Sequence, residues 1–301
     1  MARGQFAKAE KQAASVVKEL LKHKHVHRGT ARAYESALIQ AAKFLKELRC
    51  NCGLWTMTPE IAQKYLSMRQ DEVKQKTLDI DRQALQALMR NVSHKMAKDE
   101  TLTDYNGKVH RSHHDTILNA RAYSLEQMQF IAEAQTAPHM LATKIAYACG
   151  LRAHELYTLR KIQEKAPDDR KRHNGKFHKL DQHQMYTVKG KGGLVREVML
   201  PNSLAKELES RRLTEPRQIT DRKIYYTQHY DIKGGKQWSD SFSKASLRCL
   251  TFSQGGHGLR HSYAQNRMAA LQSHFEYKTA LEIVSQEMGH FRPEITLVYL
   301  R

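Results

Sequence analysis

Several absences narrow the class of this chain before any motif is considered. No apolar run approaches the roughly 20 residues that cross a bilayer, and the start, MARGQFAKAEKQAAS, has no signal-peptide core. A cytoplasmic protein with no membrane partner is the expectation. The four cysteines (Cys50, Cys52, Cys149 and Cys249) form no C-x-x-C pair and no zinc-ligand spacing. That pattern predicts reduced thiols rather than a disulfide framework or a zinc site. The cluster HKHVH at 23–27 has no carboxylate or thiolate close by and reads as a solvated basic helix end. Neither a metal nor a cofactor is expected. There is no internal repeat.

Positive charge is what the chain has in excess. Its 301 residues hold 50 Lys and Arg against 31 Asp and Glu, a net charge of +19. Residues 1–100 carry 19 basic and 11 acidic residues, or +8, which leaves +11 for the remainder. The excess is therefore spread along the chain rather than held in one tail. A long polyanion is the natural partner, because each phosphate neutralised releases a condensed counterion. A hydrophobic share of 40% supports ordinary cores, and the length allows two domains.

Periodicity predicts a mainly α protein with a small β-sheet. Helices are expected over 6–22 and 30–49, the second capped by Thr30, with Tyr34, Ala37, Leu38, Ala41, Phe44 and Leu45 on one face. TPEIAQKYLSMRQ has Thr58 as cap and Pro59 at the first helical position, a strong start signal. A fourth helix spans 76–97. The polar stretch 99–115 reads as a linker, which gives domains at 1–105 and 106–301. Two helices follow, the second ending at Gly150. The polar run 161–184 reads as a loop, and QMYTVKG and LVREVMLP as strands of a hairpin. Helices return at 202–212 and from 240 onward.

Four stretches carry residues with chemistry. In CGLRAHELYTLR, Arg152 and Glu155 are three apart and would share a helix face, with Leu151, Leu156 and Leu159 turned to the core. For one Arg-x-x-Glu, a surface ion pair is the simpler account. Lys191 stands at a hairpin tip in GKG, where a loop lysine is equally common. In GGHGLRHSYAQ, His257 and Arg260 are one turn apart at a helix N-terminus, a place suited to an anion. His290 follows in MGH, and Tyr299 lies nine residues beyond it. Each signal alone is weak. Their order is not.

With GLRAHEL, GKG, HGLRH, GH and Tyr299 in this sequence and spacing, the chain resembles the tyrosine recombinase (phage integrase) family of site-specific DNA recombinases. The resemblance covers roughly 115–301, and the first hundred residues look like the family's four-helix, SAM-like core-binding domain. It implies a mixed α+β catalytic domain, double-stranded DNA as partner, and a homotetramer on DNA formed from monomers. The activity implied is cleavage and rejoining of DNA through a 3′-phosphotyrosyl intermediate, with strand exchange, in the service of a mobile element. A cytoplasmic, nucleoid-associated location goes with it. Arg152 and Arg260 would clamp the scissile phosphate, Tyr299 would attack it, and His257 would accept the phenolic proton. Lys191 would protonate the leaving 5′ oxygen (with Lys189 as substitute), His290 would bond the phosphate, and Glu155 would orient the cluster. No ATP and no metal are needed, because the phosphodiester energy is kept in the tyrosyl bond.

The chain departs from the family pattern in three places. Leu194 and Val195 stand where a basic residue usually follows GKG. The interval from Arg260 to His290 is longer, with ALQSHFEYKTA as the insert, and Leu271, Phe275 and Tyr277 there are expected contacts between subunits. Only Leu300 and Arg301 follow Tyr299, where the family usually continues into a docking helix, so self-association is expected to be weak. Three other readings compete: a non-catalytic DNA-binding accessory factor, a metal-dependent relaxase and a type IB topoisomerase. The complete residue set argues against the first, and HKHVH lacks the strand context of the second. The helical first domain argues against the third.

Overall fold

Apolar residues at three- and four-residue spacing build the first part of the chain as a helical bundle. Described residues in this computed structural model are 7–48, 52–114 and 120–301. The helices are α1 (Ala9–Lys22), α2 (Arg28–Glu47), α3 (Pro59–Arg69) and α4 (Gln75–Asn91). Val16, Leu20, Leu38, Leu45, Leu66, Leu85 and Leu88 meet in one core, each at most 1% exposed. α3 begins as expected, with Thr58 in the capping position and Pro59 first in the helix. α2 is capped three residues earlier than its cap signal suggested: His27 holds the cap position, and Thr30 lies inside the first turn. α4 stops at Asn91 rather than 97.

Contacts divide the chain into units at Met1–Ile117 and Leu118–Arg301. Much of the stretch expected as a linker belongs to the first unit. Leu102 N–H donates to Gln86 Oε1 at 3.1 Å, Gln63 Nε2 to Thr103 O at 2.8 Å, and Ser112 N–H to Gln75 Oε1 at 2.8 Å. Side-chain amides on α3 and α4 thus satisfy an irregular backbone, which apolar periodicity cannot reveal. The cysteine expectation needs one correction. Cys149 and Cys249 are free, but Cys52 is disulfide-bonded.

The second unit packs α5 (Leu125–Glu133) and α6 (Ala137–Cys149) against α8 (Gly235–Leu250) and α9 (Gly258–Gln272). Ser124 starts α5 with a capping box, and buried Trp238 on α8 donates its indole N–H to Thr143 of α6 at 2.9 Å. A three-stranded antiparallel sheet, β1 (Arg160–Lys161), β2 (His183–Lys189) and β3 (Val195–Pro201), lies in that order, with Lys189 opposite Val195 at the hairpin tip. α7 (Asn202–Glu209) follows. A second hairpin, β4 (Arg212–Asp221) and β5 (Ile224–Tyr230), was not foreseen. α10 (Tyr277–Glu287) and α11 (Pro293–Thr296) complete the unit, with a smaller core of Met268, Leu271, Ile283, Val284 and Met288 beneath Tyr299. The insert ALQSHFEYKTA spans the end of α9, the turn after it and the start of α10. Leu271 is buried in this core and Phe275 packs against it, so of the three residues expected at a subunit contact only Tyr277 is exposed.

Candidate active site

Arg152 is delivered by the end of α6. Gly150 takes a left-handed conformation there (φ +58°), and a Cβ on it would stand 2.7 Å from the Tyr263 ring. The chain then leaves the helix, so Arg152 and Glu155 do not share an α-helical face. They lie on a turn and a short 3-10 segment (Glu155–Thr158). They meet nonetheless: Arg152 Nη1 reaches Glu155 Oε1 at 2.7 Å, and the Arg152 backbone N–H donates to Oε2 at 2.8 Å. This is no surface pair, because Glu155 is 0% exposed.

Glu155 gathers two further guanidinium groups. Arg196 of β3 donates from Nη2 to Oε2 at 2.9 Å, and Arg260 Nη1 lies 3.9 Å from the same oxygen. Burial alone would raise the Glu155 pKa. The charges of Arg196, Arg260 and Arg152 outweigh it and hold the carboxyl far below the ordinary range. Arg260, fully buried, is pushed down to about 10 by desolvation and then by Arg152, and so stays cationic at neutral pH. Its guanidinium donates to the carbonyls of Gly150 and Met288, and from Nη2 to His290 Nε2 at 3.1 Å.

That last bond fixes the His290 tautomer. Arginine can only donate, so Nε2 accepts, and the proton sits on Nδ1, facing Thr296 Oγ1 at 3.0 Å. Desolvation, then Arg260 and Arg152, push the His290 pKa down to about 3. His257 stands at the start of α9, as expected, and part of it reaches solvent. Partial desolvation, followed by Arg260 and Arg121, pushes its pKa down to about 4. Both imidazoles are neutral at pH 7.

Tyr299 lies at the centre of these rings. Their centroids stand 5.5 Å (His257), 4.8 Å (His261) and 5.1 Å (His290, stacked) from its own, and the Arg260 guanidinium carbon is 5.5 Å away. Only 9% exposed, the tyrosine still lines a cleft of about 430 Å³ with Arg152, Lys191, Arg196, His290 and Arg292. Lys191 is exposed at the tip of the β2–β3 hairpin. Lys189, its suggested substitute, is exposed too, but among the described residues it is not part of this cleft's lining.

Of the seven residues singled out in the sequence, Arg152, Lys191, His290 and Tyr299 line the cleft, His257 and Arg260 stand against the Tyr299 ring, and Glu155 binds Arg152 and lies 3.9 Å from Arg260. Sequence reading missed others. Arg196 appears there only as the residue after two apolar positions, yet it is 2% exposed and binds Glu155. His261, within HGLRH, is 3% exposed and has the ring closest to Tyr299. Glu287 is 1% exposed. Its carboxylate accepts from Arg267, Tyr263 and the Phe177 N–H, and its carbonyl from Arg196.

No protein-family model matches the sequence, and no curated protein matches it either. Solved structures do. XerH site-specific recombinase bound to its palindromic difH substrate aligns with a TM-score of 0.55 at 18% identity, over 90% of this chain and 76% of XerH. The Tn1549 transposon integrase in complex with transposon right-end DNA gives 0.56 at 15%, over 98% and 95%. A lambda integrase dimer bound to a COC′ core site gives 0.60 at 15%, over 97% and 76%. At such identities the likeness is one of fold, the fold that these recombinase and integrase structures share.

Proposed function

We propose that this protein is a site-specific DNA recombinase that cleaves and rejoins duplex DNA through a 3′-phosphotyrosyl intermediate. The observation that carries the reading is the clustering of Arg260, His257 and His290 around Tyr299, which lines one cleft with Arg152, Lys191 and His290. Two permanently charged guanidinium groups suit the extra negative charge of a five-coordinate phosphorane. A DNA partner is supported by the net charge of +19 and by XerH, the Tn1549 integrase and lambda integrase, whose solved structures hold DNA.

In this mechanism Tyr299 Oη attacks phosphorus and the bond from phosphorus to the 5′ oxygen breaks. The phenolic proton passes to neutral His257, and Lys191 gives a proton to the departing oxygen. Glu155 and Arg196 keep Arg152 and Arg260 aimed while the phosphate is bound, and His290, whose Nε2 accepts from Arg260, helps hold that guanidinium in place. A free 5′-hydroxyl of a partner strand reverses the step and completes exchange.

The test needs a target, which binding-site selection from random duplexes supplies. On a nicked duplex of the selected sequence, wild-type protein should form a denaturant-stable covalent adduct. Tyr299→Phe should bind the same duplex and form none. Adduct formation by the phenylalanine variant would sink the assignment.

A further inference from the structure

β3 is the outer strand of its sheet, and an outer strand leaves N–H and C=O groups unpaired. Here a strap covers it. The segment 162–182 runs from β1 to β2, and its Asp168 exchanges two bonds with Val195 at the start of β3. The Asp168 N–H donates to Val195 O at 2.9 Å, and its Oδ2 accepts from the Val195 N–H at 3.0 Å. Further on, Arg172 and Lys176 pair with Glu197 of β3 at 3.0 and 2.9 Å. The His173 and Phe177 N–H groups donate to Gln286 and Glu287 of α10, at 2.8 and 2.9 Å. The His178 ring lies 5.2 Å from Phe275 of the α9–α10 turn. A polar run that reads as a loop is therefore fixed against three elements.

These bonds account for Asp168, Arg172 and Lys176. They leave Arg170 and Lys171, which are exposed and form no ion pair among the described residues. Arg170 is nonetheless held: its guanidinium carbon sits 5.1 Å from the Phe291 ring centroid, within cation–π range. Phe291 directly follows His290 and has φ +53°, an unusual backbone for an aromatic residue. Arg170, Lys171 and Phe291 line a cleft of about 400 Å³ together with Leu194 and Arg196, and those last two also line the cleft at Tyr299. The two clefts thus adjoin. Leu194 and Val195 bring no charge to this side of the hairpin, so the free cations there come from the strap. Asp169 lines the same cleft and offsets part of that charge.

We propose that the strap carries a second phosphate subsite, in which Arg170 and Lys171 hold a backbone phosphate of bound DNA neighbouring the one at Arg152 and Arg260. This rests on the DNA-cleavage reading above. An arginine stacked on an aromatic ring and then bonded to a phosphate loses less freedom on binding than one free in solvent. The strap would in this way supply the grip that the hairpin tip lacks.

The test begins from the cleavage position, mapped with the wild-type adduct. Single neutral methylphosphonates are then walked outward from it along the strand. Wild-type affinity should drop about tenfold at one flanking position, the scale of a lost hydrogen bond to a charged group. The Arg170→Ala, Lys171→Ala double variant should show that loss on unmodified DNA and no further loss at that position. Arg170→Lys should recover part of the affinity. Both substituted side chains are exposed and the anchoring bonds remain, so an unchanged thermal melt is expected. If wild type and double variant lose affinity equally at every position, the subsite is wrong and the cleavage reading stands. If the wild type forms no adduct on selected DNA, both fall together.

Discussion

Glu155 has no solvent and three guanidinium neighbours, and its worth is set by what its removal leaves behind. Glu155→Gln would strand Arg152, Arg196 and Arg260 around a neutral amide. Breaking a buried ion pair from one side costs about 3–5 kcal/mol, so that loss is expected in urea unfolding of the DNA-free protein. A change below about 1 kcal/mol would mean that the arginines find solvent instead. The histidines give a pH test of the same cluster. His257, His261 and His290 are depressed to about 4, 4 and 3, against an ordinary value of 6.5. Between pH 6.5 and about 4 the unfolded chain binds protons that the folded chain does not. Stability should therefore be full above pH 6.5 and fall through this window as acid is added. His261 alone, being buried, contributes on the order of 3 kcal/mol. Glu155 adds little above pH 4.5, because its unfolded carboxyl begins to bind protons only near its ordinary value of 4.5. A pH-independent melting temperature from 7 down to 4.5 would contradict the placement. Arg152, Glu155, His257, Arg260, His290 and Tyr299 were legible because each sits in a short motif with characteristic spacing. Arg196 and Glu287 were not. They lie 91 residues apart, and their bond exists only after β3 and α10 are packed together.

At the scale of elements, the helices and the β2–β3 hairpin were readable because half-buried faces repeat with a helical or strand period. The β4–β5 hairpin hides for a physical reason. β4 is exposed along most of its length, so no apolar alternation marks it, and Pro216 falls at an irregularity in the pairing. Its turn also lacks the usual Asn-Gly: Arg222 and Lys223 themselves take positive φ, +50° and +64°. The strap hides differently, since its anchors are backbone N–H groups and charged side chains. One glycine ties element to site. Gly289 follows α10 with φ +73°, and a Cβ there would stand 2.5 Å from Arg196 Cδ. Gly289→Ala should cost more than about 1 kcal/mol for the backbone alone, and should displace Arg196 from Glu155. The expected signature is a fall in cleavage rate larger than the fall in DNA affinity, because the arginines are misaimed rather than removed. Equal losses in rate and affinity would place the damage in the fold as a whole.

For the whole molecule, the readable quantity is charge, and it makes a prediction independent of any single residue. The +8 of residues 1–100 and the +11 of the remainder put an excess on both units rather than on one. If both units contact duplex, several phosphates are neutralised at once and their counterions are released. Each contact contributes about −0.9 to the slope of log affinity against log salt, and about 6–10 contacts weaken binding roughly 10³–10⁵-fold between 50 and 200 mM. A mixed-sequence duplex suffices for the measurement, because this part of the affinity does not depend on base sequence. Titrations at a series of salt concentrations should therefore give a slope of about −5 or steeper. A slope near −2 would leave room for the phosphates at the Tyr299 cleft and almost nothing else, and would confine DNA contact to the second unit. Charge on the first unit would then be a matter of solubility, and the helical bundle would need a different partner.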